Sequence, residues 1–262
     1  MIHSTPYTPK VVVSLTSFPK AIPYAVKAIQ SVLEGSVLPD KLVLYLVSAE
    51  FEKEGLPEEL TRMADSHPLF EIRYTDCNLR SYLKLIPALT DFPEDIIVTV
   101  DDDIHYHPHL LRDLLKLHNE VPDAILAHRV RCVSIDKPYK KWKKFHWYDF
   151  LFKRIHRDFR NLQTGVGGVL YPPHALKKEM LDAELFTRLA PSCDDIWFWA
   201  AAVANGTPVV PVPFGCNRPR ELNKPRSISL MTINYKSGTD RNKKTLDAIL
   251  EYFPQIKNRI QQ

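Results

Sequence analysis

Asp95-Ile96-Ile97-Val98-Thr99-Val100-Asp101-Asp102-Asp103 is a nearly unbroken apolar run that ends in three consecutive carboxylates. A run of this length without polar alternation predicts a strand over residues 95–100, buried on both faces. Upstream, strand and helix patterns alternate. Residues 11–17, 41–48 and 71–75 read as strands. Residues 21–33 carry Ala25, Ala28, Ile29 and Val32 at helical spacing, and residues 58–66 and 81–90 also read as helices. This order predicts an α/β fold: a mainly parallel, Rossmann-like central sheet flanked by helices. Downstream the pattern loosens. Residues 109–117, 192–204 and 243–253 read as helices, with the last one terminal. Residues 124–134, 165–171 and 208–213 read as strands, the last of these closing the set.

The 262 residues are 45% apolar and 25% charged, enough for a packed core without staples. No repeat or low-complexity linker divides them, so a single domain spanning 1–262 is expected. A net charge of +4 is too small to argue for a nucleic-acid partner. Cys77, Cys132, Cys193 and Cys216 form no C-x-x-C pair and read as free thiols of a reducing compartment. Residues 1–10 are polar and proline-rich, unlike a signal peptide. The longest apolar stretches, such as 196–204, fall short of the roughly 20 residues that span a bilayer. The expectation is a cytoplasmic protein, with peripheral contact at the inner face of a membrane as the alternative to a freely soluble one.

Glycine placement excludes two phosphate-binding designs. The first glycine is Gly35, so the turn Ser14-Leu15-Thr16-Ser17-Phe18-Pro19-Lys20 holds neither G-x-G-x-x-G nor a P-loop. A dinucleotide dehydrogenase or P-loop kinase needs its pyrophosphate cradle there. This turn presents hydroxyls and backbone groups instead.

The carboxylates after residue 100 carry the chemistry. Ligands of open α/β sheets gather at the carboxyl ends of strands. Three adjacent carboxylates repel one another and call for a cation. Mg²⁺ or Mn²⁺, completed by a substrate's phosphate oxygens, suits such hard donors. In an extended chain Asp101 and Asp103 share a face, with Asp102 on the other. A solvated acidic turn is the competing interpretation. His105 and His107 offer zinc as a further alternative. No histidine follows His174, which leaves the metal to Asp103 and to phosphates.

Asp194 and Asp195 open the predicted helix at 192–204. They read either as first-turn or capping carboxylates, or as groups set beside a reacting centre to take a proton or stabilise positive charge. Residues 165–171 hold Gly165, Gly167 and Gly168, which suggests close approach of a ligand or of another backbone, or a bulged strand. Residues 140–160 mix lysines with aromatic rings, fitting a solvated surface, a glycan acceptor or an acidic membrane. Arg218, Arg220, Lys224 and Arg226 sit among turn residues and read as a basic loop that could close over a leaving group.

Taken together, the chain resembles nucleotide-sugar transferases of the GT-A fold. Among them it is most similar to the catalytic domain of exostosin-like transferases and to related bacterial glycosyltransferases. Residues 11–18, the segment Thr75-Asp76-Cys77-Asn78-Leu79-Arg80-Ser81 with residues 85–89, Val100-Asp101-Asp102-Asp103, and Cys193-Asp194-Asp195-Ile196 carry the likeness. The resemblance implies a GT-A-like domain with a nucleotide-binding half over 1–105 and an acceptor-binding half over 106–262. It places Thr16, Ser17, Asn78, Arg80, Ser81, Asp101 and Asp102 on the donor, Asp103 and Asp101 on the metal, and Asp195 with Asp194 at the catalytic centre. It implies transfer of a hexose or N-acetylhexosamine from a UDP-sugar to a glycan or glycolipid acceptor in surface polysaccharide synthesis, with Mn²⁺ or Mg²⁺ as cofactor. Exostosin-type members retain anomeric configuration and many other GT-A enzymes invert, so the stereochemistry stays open. A sugar-phosphate nucleotidyltransferase and a non-catalytic glycan-binding protein are the competing functions.

Overall fold

The computed structural model describes residues 7–52, 55–213, 220–223, 225 and 240–261. In chain order its strands are β1 (Val11–Thr16), β2 (Lys41–Val47), β3 (Phe70–Thr75), β4 (Ile96–Thr99), β5 (Ile104–His105), β6 (Ile125–Ala127), β7 (Val130–Cys132), β8 (Lys143–Lys144), β9 (Asn161–Gln163), β10 (Val169–Tyr171), β11 (Val209–Pro211) and β12 (Arg220–Glu221). The helices are α1 (Ile22–Leu33), α2 (Ser48–Phe51), α3 (Glu58–Ser66), α4 (Ile86–Asp91), α5 (Leu110–His118), α6 (Ala183–Leu189), α7 (Asp194–Asn205), α8 (Arg241–Tyr252) and α9 (Pro254–Ile260).

Seven strands form the central sheet in the order β11-β6-β10-β4-β1-β2-β3. All are parallel except β10, which runs against both β4 and β6. Alternate residues feed two cores, as a period of two requires. Val12, Val43, Tyr45, Ile97 and Tyr171 face one side, against α7, α8 and α9. Val13, Leu15, Leu44, Val98 and Leu170 face the other, against α1, α3 and α5. Burial on both faces explains why these strands read as continuous apolar runs.

Helix α7 is buried almost all round, from Ile196 to Val203. Its two tryptophans keep their indole N–H groups satisfied. Trp197 donates to the Met180 carbonyl at 2.7 Å and Trp199 to that of Phe159 at 2.8 Å. Gly206, at φ +85°, ends the helix in the left-handed conformation that a β-carbon disfavours.

Five expectations are corrected. The strand expected over 124–134 splits into β6 and β7, which belong to different sheets. The chain leaves the main sheet at Arg129, whose carbonyl accepts the Thr164 N–H at 3.0 Å. The strand expected over 165–171 begins only at Val169. Gly165–Gly167 forms a 3-10 turn, and Gly168 at φ +81° breaks the extended run. The helix expected over 81–90 is a 3-10 turn, Arg80–Lys84, followed by α4 with proline in its first turn. Helix α8 is not terminal, because Pro254 starts α9 directly after it. Beyond β11, β12 pairs with β5 outside the main sheet.

Candidate active site

Strands β1 and β4 run side by side, with Ser14 opposite Thr99. Three residues on, the same register puts Ser17 beside Asp102, and the Ser17 hydroxyl donates to the Asp102 carboxylate at 2.7 Å. Asp102 is therefore turned inward and buried. Asp101 goes another way. Its backbone N–H donates to the Tyr106 hydroxyl at 2.7 Å, and its carboxylate lies 2.9 Å from Lys84 Nζ. Asp103 is half-buried on the same turn, and its carbonyl accepts the N–H of Leu222, just after β12, at 2.9 Å.

Lys84 joins the two acidic segments. Its ammonium sits 2.9 Å from Asp101 and 3.0 Å from Asp194, with the lysine side chain only 9% exposed. Burial opposes its charge, but Asp101, Asp194 and Asp195 outweigh that cost and hold its pKa well above the ordinary lysine value. The cation demanded by the carboxylate cluster is thus partly supplied by the chain itself. The carboxylate run taken alone points to a metal for the whole of that role. A lysine between Leu83 and Leu85 was the available signal, since a lysine inside an apolar run needs a partner.

Asp194 and Asp195 stand in the first turn of α7, where the helix dipole favours negative charge. Neither is the capping residue, which is Cys193. Asp195 accepts a hydrogen bond from the Gly165 N–H at 3.0 Å. Burial, and then the Asp194 charge, push the Asp195 carboxyl up to about 7, against the pull of Lys84. The buried phenol of Tyr171 on β10 is raised by its burial and next by Asp195, so this tyrosine flanks the same carboxylate. Gly165 is a necessity of close packing. A β-carbon there would lie 2.6 Å from Lys84 Nζ and 3.1 Å from Asp101 Oδ1. What approaches this glycine is the chain's own charge network.

The remaining expected positions spread out. The Thr16 hydroxyl donates to the Tyr45 carbonyl at 2.9 Å, across β1 and β2. Asn78 and Arg80 are exposed. Asn78 donates to Glu50 at 2.8 Å and accepts the Arg80 N–H at 3.1 Å, and Arg80 has φ +54°. Ser81 is half-buried on the turn that carries Lys84. The cation that reaches the carboxylates is Lys84, four residues beyond Arg80. Of the basic loop, Arg220 lies in β12 beside His105, whereas Arg218, Lys224, Arg226 and Cys216 fall outside the described residues.

Among the described residues, no three His, Cys, Asp or Glu side chains gather as a metal site. The zinc alternative through His105 and His107 gains no third ligand, and His107 Nδ1 accepts the His109 N–H at 3.2 Å. One or two hard carboxylate oxygens completed by phosphates is nonetheless an ordinary Mg²⁺ or Mn²⁺ arrangement, and Asp103 and Asp101 carry donors of that chemistry. Cys77, Cys132 and Cys193 are free thiols. No described helix is long and apolar enough to cross a membrane.

Neither a family profile nor a curated protein matches the sequence. Solved structures do match its shape. TarS of S. aureus, residues 1–349, superposes with TM-score 0.53 at 11% identity, over 94% of this chain and 73% of that one. The mannosyltransferase PcManGT of Pyrobaculum calidifontis, in complex with GDP-Man and Mn²⁺, superposes with TM-score 0.50 at 17% identity, over 97% and 74%. The fold is GT-A-like. An apo UDP-glucose pyrophosphorylase also matches, with TM-score 0.46 at 9% identity over 95% of this chain and 99% of that one. At these identities the likeness concerns the GT-A-like fold alone.

Proposed function

We propose that this chain is a metal-dependent glycosyltransferase that moves a hexose or N-acetylhexosamine from a nucleotide-diphosphate sugar, of the UDP type, to a glycan acceptor. The supporting observation is the convergence of the turn after β4 and the start of α7 on one buried lysine. The stretches that resemble the exostosin-like domain supply Asp101 and Asp194, and Lys84 lies between two of them. A mannosyltransferase of the same fold holds GDP-Man and Mn²⁺, which agrees with a nucleotide-sugar donor. Residues 1–105 hold the donor in this reading, and residues 106–262 face the acceptor.

Asp103, with the free side of Asp101, would hold Mn²⁺ or Mg²⁺. Such an ion supplies neutralisation of a diphosphate leaving group. The chain's own groups do the rest. Asp102, fixed by Ser17, sets the conformation of the turn. Lys84 holds Asp101 and Asp194 in place. Asp195, poised near neutrality, takes the proton of the acceptor hydroxyl, or stabilises positive charge on the sugar ring. Arg80, at the exposed rim, is available to phosphate.

The test is turnover of a panel of UDP- and GDP-sugars with Mn²⁺, comparing the parent chain with Asp103→Ala. Loss of metal-dependent turnover with an unchanged melting curve is expected. Full turnover in that variant, or pyrophosphate release from NTP and sugar phosphate, would overturn the assignment.

A further inference from the structure

The segment from Lys140 to Arg154 has no part in the chemistry above. It holds Lys140, Lys141, Lys143, Lys144, Lys153 and Arg154 against the single carboxylate Asp149; Lys143 pairs with Asp149 and Arg154 with Glu120, so the excess charge rests on Lys141, Lys144 and Lys153. It is built, not loose. Trp142 is buried, and its indole N–H donates to the Lys137 carbonyl at 3.0 Å. Strand β8 is tied to β7, and a 3-10 turn, Trp147–Phe150, is closed by reciprocal bonds between His146 and Asp149. Phe145 and Phe150 pack together and against His156.

That inward anchoring leaves the other rings outside. Trp147 is 59% exposed, Tyr148 50%, Leu151 57% and Phe152 100%. Among the described residues, half of the exposed large hydrophobics fall within residues 147–152. Single exposed apolar residues need no explanation, but a contiguous cluster rimmed by charge marks an interaction surface. The rim is positive. Lys144 stands across from Arg131, and its pKa is lowered first by that guanidinium, so the cations are crowded. Tryptophan, tyrosine and leucine flanked by lysines match the interface of an anionic bilayer, where rings sit at headgroup depth and ammonium groups meet lipid phosphates.

We propose that residues 147–152 form a membrane-docking tip that seats the protein on an anionic lipid surface. The tip bears on where the chain works and not on whether it transfers sugar. β8 joins it to β7, and β7 pairs with β9, which leads to Gly165. The chain that follows the tip is pinned in turn, Arg154 to Glu120 and Arg157 to Asp123, each at 2.6 Å.

The experiment is co-sedimentation of the full chain with phosphatidylglycerol/phosphatidylcholine vesicles and with pure phosphatidylcholine vesicles. Tryptophan emission is followed in parallel, because Trp147 is the exposed indole. Binding to the anionic vesicles with a blue shift is expected, with little binding to the neutral ones. Leu151→Asp with Phe152→Asp should weaken binding by about 10-fold or more, as should Lys141→Glu with Lys144→Glu. Circular dichroism and donor turnover of the same variants should match the parent. Equal binding to both vesicle types overturns the proposal. So does binding lost in the lysine variant but untouched in the Leu151/Phe152 variant, which is the behaviour of a generic polyanion or nucleic-acid surface. A dimer that dissociates on Phe152→Asp overturns it in favour of a second copy as the occupant. Absence of donor turnover with intact vesicle binding would sink the transferase reading and leave this one standing.

Discussion

The two acidic segments contain the same residue and behave differently. After β4 the carboxylates part: Asp101 goes to Lys84 and Asp102 to Ser17, while the Asp103 backbone carbonyl holds the Leu222 N–H. At the start of α7, two carboxylates stay together. Lys84 neutralises Asp194, while Asp195 keeps one backbone N–H and is pushed up to about 7. The contrast shows that an aspartate's role follows from its counter-charge and its access to water, not from its presence in an acidic run. The first segment is spread over separate partners, and the second leaves Asp195 to exchange a proton near neutrality.

The widest test of that contrast is Asp195→Asn. Transfer should fall by roughly 100- to 10,000-fold, the range for loss of a general base, as measured by kcat. In the parent, kcat should rise with pH through about 7 as the Asp195 carboxylate forms, and the variant's residual rate should lose that step. Stability should move in the opposite sense. Because the folded pKa lies above the ordinary 3.8, this group's contribution is complete below that value and is lost as pH rises through about 7. The variant should therefore be more stable than the parent at pH 8, by on the order of 1–3 kcal/mol, the group's partial exposure keeping the gain modest. A parent pH–rate profile flat from 5 to 9 would erase the distinction between the segments.

Next in size is Lys84→Met, which strands Asp101 and Asp194 beside each other. Breaking a buried pair on one side costs about 3–5 kcal/mol, read as a drop in urea midpoint. Adding Asp194→Asn should recover part of the loss. No recovery would show that the lysine serves only one segment. Gly165→Ala forces a β-carbon to 2.6 Å from Lys84 Nζ. About 1–3 kcal/mol of stability should go, as overpacking displaces the ammonium. Ser17→Ala removes one donor from buried Asp102 and should cost about 1–2 kcal/mol, with little effect on the pH profile. A shifted profile would mean that the two segments are coupled through the β4 turn.

Much of the fold was legible because burial leaves a local signature. Residues 96–100 announced a central strand, and α1, α3 and α5 lie within a residue or so of their apolar periodicities. Residues 124–134 misled, because two short strands in different sheets share one apolar run. Residues 165–171 misled because Gly168 needs φ +81°, a conformation without a hydrophobic signature. At the site, the carboxylates were visible as residue types. Lys84 carries no local signal of its partners, because its charge pairs form across the chain, to Asp101 and Asp194, and not along it.

By itself the sequence determined the alternation of strand and helix, and the placing of acidic groups just after β4 and at the head of α7. Those follow from periods of two and of 3.6 residues, which short-range burial imposes. Tertiary structure alone decided which carboxylate meets Lys84, which meets Ser17, and which is left to exchange a proton. Coulomb energy and desolvation depend on distances of a few ångströms between segments remote in the chain, and no local pattern encodes those distances.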